Sequence, residues 1–172
     1  RRDGLVSQTS WLLNLGDDGP RFAVLLDYYP ASAGKRSSAF IPGEQFDGEL
    51  AFYPAQNPER AVLLSRTSLE NADACWPETV EESISAKIAE RLGAEPWLVE
   101  APLLLPPGRI VMDANGGPWW KSKAGDDILP VDEIAEGPAR ATDLDCAAAI
   151  WSAGGLRLLA AQSAWGRIDC VG

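Results

Sequence analysis

Histidine is absent from all 172 residues. With it go the histidine-based catalytic triads, the commonest general base near neutral pH and the commonest metal ligand. Cysteine is scarce: Cys75, Cys146 and Cys170 are widely spaced and form no Cys-x-x-Cys pair. No zinc site is therefore expected within the chain, and three buried, reduced thiols are the expectation. Positive charge is also in short supply. Lys+Arg total 15 against 25 Asp+Glu, a net charge of −10. Such a field repels phosphate backbones and anionic lipid, so neither nucleic acid nor a membrane surface is an expected partner. No apolar run approaches the length of about 18 residues that a membrane-spanning helix needs. Methionine occurs only at Met112 and the chain opens on Arg1-Arg2-Asp3, so a processed product or one part of a longer protein is expected.

What is present is ordinary globular composition, 46% hydrophobic and 23% charged. A chain of this size buries about 70% of its unfolded surface and needs no metal or disulfide to fold. The first part reads as β-structure. Strands are expected at 10–15, 21–29, 48–53 and 59–67, with a short edge strand at 37–41. Gly16-Asp17-Asp18-Gly19-Pro20 supplies turn chemistry for a first hairpin.

The character changes after Cys75. Thr79-x-x-Glu82 has the form of a capping box, and Val80, Ile84, Ile88 and Leu92 recur every four residues. This predicts a helix over 80–92, with Gly93 past its end. Pro102, Pro106 and Pro107 keep the next segment extended. A second β-section follows, with strands at 109–113, 119–121 and 128–129, the first two joined by Asn115-Gly116-Gly117. Thr142-x-x-Asp145 predicts a second, Ala-rich helix through Trp151, and a last hairpin is expected over 156–171 around Ala164-Trp165-Gly166. The expected fold class is α+β: strand-dominated, with antiparallel sheets or a small barrel and two helices. One domain over 1–172 is expected, divisible into 1–70 and 77–172.

Chemistry is sparsely marked. The acidic pairs Asp17-Asp18, Asp126-Asp127 and Asp132-Glu133 could serve acid/base catalysis or calcium, and Asp113-x-Asn115-Gly116 resembles part of a calcium loop without its later Glu. Each sits beside turn residues, where Asp is favoured on conformational grounds alone. A carboxylate-based hydrolase or a calcium-binding domain is the alternative reading. The seven tryptophans are the unusual feature. Adjacent Trp119 and Trp120 point to opposite faces of a strand, so one faces outward, and beside Lys121 it would suit a partner contact. Trp119, Trp120 and Lys121 are the candidate partner-binding residues; packing on the sheet is the competing reading, and Trp165 carries the same two.

Four segments occur in order: Trp11-Leu12-Leu13, then Arg21 to Tyr28 ending in a Leu-Asp-aromatic step, then Phe46-x-x-Glu49-Leu50-Ala51-Phe52-Tyr53-Pro54-Ala55, then Arg60-Ala61-Val62-Leu63. Over about the first 70 residues this set resembles the region C-terminal to the zinc motif in bacterial SWIM zinc-finger proteins. The family's Cys-x-Cys and Cys-x-His ligands have no counterpart in this chain, so no zinc ligand carries over. The resemblance implies the downstream part of a longer protein whose upstream region holds the zinc. It implies a cytoplasmic interaction or scaffold domain without catalysis or a cofactor of its own. A MoxR-type AAA+ ATPase or a von Willebrand A-domain protein is the implied partner.

Overall fold

A computed structural model describes residues 4–16, 18–33, 40–55, 59–69, 75–79, 83–134 and 137–170. The chain divides into two compact units, 1–77 and 78–172.

The first unit is two hairpins. β1 (Leu5–Leu13) pairs antiparallel with β2 (Phe22–Pro30), and β3 (Phe46–Phe52) with β4 (Ala61–Ser68). A parallel bridge between Val24 and Arg60 joins them, with the Val24 amide donating to the Glu59 carbonyl at 2.7 Å. Residues opposite one another share a face, so Leu12, Ala23 and Leu25 meet Ala61, Leu63, Leu50 and Phe52 in one small core. Only Ala23, Leu25 and Ala61 are fully buried there. The expected edge strand at 37–41 falls largely outside the described residues; Phe40 and Ile41 are not in a strand.

Among its described residues the second unit is a seven-stranded sheet with one α-helix. Its strands are β5 (Glu100–Leu105), β6 (Gly108–Met112), β7 (Pro118–Ser122), β8 (Ile128–Glu133), β9 (Cys146–Ser152), β10 (Gly155–Ser163) and β11 (Gly166–Asp169). They lie in the order β5-β9-β10-β8-β7-β6, with β11 also on β10. All pairs are antiparallel except β8 with β10. The two ends of that order, β5 and β6, are joined by Pro106-Pro107 alone. Three Cα steps span at most about 11 Å, whereas the outermost strands of a flat sheet in this order would stand about 24 Å apart. The sheet must therefore roll. Gly108 and Leu144 complete the roll, each donating its amide to the other's carbonyl at 2.9 and 2.8 Å. The concave side holds the main core: Leu103, Leu105, Ile110, Trp120, Val131, Leu144, Leu156 and Leu158, with Ile84 and Ile88 laid on it from the helix.

That helix, α1, runs Ile84–Ala94. The expected start at Val80 lies outside the described residues, and the N-cap is Ser83 rather than Thr79: the Ser83 hydroxyl accepts from the Ala86 amide. The helix also passes through Gly93, and the Glu95 amide closes its end on the Arg91 carbonyl.

The α+β expectation with two helices does not hold. Among the described residues the fold is mostly β, α1 is the one α-helix, and the predicted helix of 142–151 is strand β9. The capping box does not form; the Asp145 amide instead donates to Gln162 across the sheet. Cys146 to Ile150 are all buried, because β9 is flanked by β5 and β10 and covered on both faces. Alanine's helix propensity is a fraction of a kcal/mol per residue and yields to that burial. A continuous apolar run without 3.6-residue spacing is the mark of such a strand.

The closure admits a sharp test. A Cβ on Gly108 would lie 2.5 Å from Trp120 Cζ2 and 2.7 Å from the Lys121 carbonyl oxygen. Gly108→Ala is expected to destabilise the unit by about 3 kcal/mol or to prevent folding. Gly93→Ala, where an added Cβ meets nothing within 4 Å, is expected to stabilise by roughly 0.5–1 kcal/mol. Urea denaturation of the two variants checks both signs.

Candidate partner-binding face

The β6–β7 hairpin turns on Asp113 to Gly117. Asp113 Oδ1 accepts from the Asn115 amide at 2.8 Å and the Gly117 amide at 2.7 Å. Gly116 takes φ of 82°, a conformation that L side chains avoid. Asp113 Oδ2 accepts from the Trp119 indole Nε1 at 3.2 Å. The Gly117 amide first, and the Trp119 indole next, hold the Asp113 carboxyl below its ordinary pKa.

Strand alternation then divides the candidate residues. Trp120 faces inward at 0% exposure, so it belongs to the core and cannot itself touch a partner. Among the described residues its indole Nε1 has no hydrogen-bond partner. Trp119 is half-buried and Lys121 is exposed, both on the outer face. The register fills in their neighbours: Val111 and Pro130 flank Trp119, while Arg109 and Ile128 flank Lys121. Arg109 and Ile128 are exposed, Ile128 at 52%. Sequence reasoning missed these two: a two-residue Asn115-Gly116 turn would set Ile110 opposite Lys121, whereas the observed three-residue loop, 114–116, sets Arg109 there. Trp165 stands at 89% exposure on the two-residue tip between β10 and β11, and Trp97 at 77% between α1 and β5.

The carboxylates are dispersed among separate tasks. Asp127 reaches the start of α1: its Oδ2 accepts from the Ile84 amide at 2.6 Å and its Oδ1 from the Ser85 hydroxyl at 2.6 Å. Burial pushes the Asp127 pKa up. The hydrogen bonds from the Ser85 hydroxyl, the Ile84 and Ser85 amides and the Ser83 hydroxyl together outweigh it, and the net direction is down. Asp132 lies on β8, and Asp17 is outside the described residues. No group of three or more His, Cys, Asp or Glu side chains among the described residues is placed to hold a metal ion.

All three cysteines are free. Cys146 and Cys170 are buried, and desolvation first, with the adjacent Asp145 and Asp169 charges next, pushes each thiol up to about 11. Cys75 is exposed, which corrects the expectation that all three are buried. No helix among the described residues is long and apolar enough to cross a membrane. Comparison with protein-family models, curated proteins and solved structures returns no match.

The Asp127 contact carries a pH signature. Its folded pKa lies below the unfolded value of about 3.9, so its contribution is complete above that value and fades as pH falls through the folded pKa. Asp127→Asn is expected to cost about 1 kcal/mol at pH 7, through loss of a carboxylate at a helix N-terminus. The gap between the variant and the parent should close below pH 4, as read from thermal unfolding across a pH series.

Proposed function

We propose that this chain is a non-catalytic protein-interaction domain whose contact surface is the outer face of β6, β7 and β8. The observation that carries this reading is Trp119 beside Lys121 on a sheet face whose opposite side is the packed core. The sheet gives that face a rigid backbone. Aromatic and cationic side chains held on rigid elements are the usual anchors of protein contacts. The dispersal of Asp113 and Asp127 into hairpin-turn and helix-cap roles favours this reading over a carboxylate-based hydrolase or a calcium site. A cytoplasmic location and a partner of the MoxR-type AAA+ or von Willebrand A-domain class rest on the SWIM resemblance of the first 70 residues.

A photo-crosslinking amino acid placed at Lys121 tests the surface in cells. A discrete protein adduct is expected at that position, and it should be lost in a Trp119→Ala background. No adduct should form from the same probe at Glu90, on the exposed side of α1. Equal adducts at 121 and 90, or none at 121, would remove the assignment.

A further inference from the structure

Arg109 and Lys121 stand directly opposite one another across β6 and β7, both exposed. Opposed side chains begin only about 5 Å apart, and like charges so placed repel. Lys123 extends the row: its amide donates to the Pro107 carbonyl at 2.8 Å, which continues the same pairing two residues on. By strand parity its side chain shares the outer face with Lys121, at a spacing of about 6.8 Å. Among the described residues none of these three cations forms an ion pair.

Two acids of the adjoining turns are committed elsewhere. Asp113 is engaged by turn amides and the Trp119 indole, and Asp127 by the start of α1. A chain of net charge −10 therefore keeps a local row of three unpaired cations ending at Trp119. Arg109 and Lys121, as like charges directly opposite, repel one another across the hairpin.

We infer that this face binds an acidic segment of a partner protein in extended conformation, with Arg109 and Lys121 closing on one carboxylate and Lys123 meeting a second two residues along. The inference rests on the interaction reading above and names the chemistry of the partner. Acids at alternate positions of an extended chain repeat at about 6.8 Å, the same period as Lys121 and Lys123. A carboxylate between Arg109 and Lys121 replaces a repulsion with two charge-assisted hydrogen bonds. An apolar residue flanking the acids would lie against Trp119, Val111 and Pro130. Three cations are few for a polyanionic backbone, and the overall charge of the protein opposes one, which favours peptide over nucleic acid.

The probe is a fluorescein-labelled peptide, Glu-Thr-Glu-Thr-Glu-Thr-Glu, titrated with the whole chain by fluorescence anisotropy at low and high salt. Saturable binding that weakens with salt is expected. Arg109→Ala and Lys123→Ala should each weaken it about tenfold, a loss of 1.4 kcal/mol. Arg167→Ala, which removes one charge on the β10–β11 hairpin, should leave it unchanged. Lys121→Glu separates binding from folding, because it should abolish binding while raising the melting temperature, an acid now facing Arg109. Peptide binding that is absent, or that survives Lys121→Glu, overturns the inference. Tighter binding of an oligothymidylate of equal charge overturns it in favour of nucleic acid. If Lys121 crosslinks to a partner and the peptide does not bind, the acidic segment is wrong and the interaction reading stands; if neither occurs, both fall.

Discussion

The contact on which the second unit depends is the close approach of the Trp120 indole to Gly108. Trp120 is the largest fully buried side chain among the described residues, and Gly108 carries the backbone pair to Leu144 that completes the rolled sheet. Any side chain at Gly108 would collide with the ring and with the Lys121 carbonyl at the same time. Close approach of strand and indole is thus what allows β6 to follow β5 after only two prolines. The same contact settles which way β7 faces. With Trp120 committed inward, the two-residue period of the strand leaves Trp119 and Lys121 no position except the outside.

A second tie, from Asp127 to the start of α1, has an electrostatic consequence beyond the helix. Oxygen atoms that could have neutralised the cations of β6 and β7 are turned toward backbone amides and serine hydroxyls. Asp113 behaves in the same way within its own turn. The acidic character of the chain and the bare cationic row on one face are therefore compatible. Whether a cation is neutralised depends on where each acid's hydrogen bonds go, and net charge does not report that.

Local chemistry carried much of the fold. A hairpin at Asn115-Gly116 was legible, but not its turn: the Gly116 amide donates to the Asp113 carbonyl, so Ala114 and Asn115 are central without positive φ, and Gly116 follows in the left-handed region instead of closing a primed turn. The face of α1 was legible from Ile84, Ile88 and Leu92, spaced one turn apart. Its start was not, because a carboxylate 43 residues away supplies part of the cap. Strand β9 was misread as a helix since alanine favours helices, while the two strands that bury it are brought beside it only by tertiary folding. At the candidate face, the outward tryptophan and its lysine followed from alternation. Which of the two tryptophans faced out depended on the core, and the opposing Arg109 depended on a register that had not been counted across the turn.

The two units differ in how much apolar material holds each together. The first has Ala23, Leu25 and Ala61 at its centre, two of them alanines; the second has a core built on Trp120 and four fully buried leucine side chains. Local opening costs less free energy where fewer apolar side chains are sequestered from water. The amides of β1 to β4 will therefore exchange with deuterated solvent through partial opening, while those of β9 and β10 wait for global unfolding. Unfolding in two steps is then expected, and the melting temperatures of the Asp127 and Lys121 variants are those of the second unit.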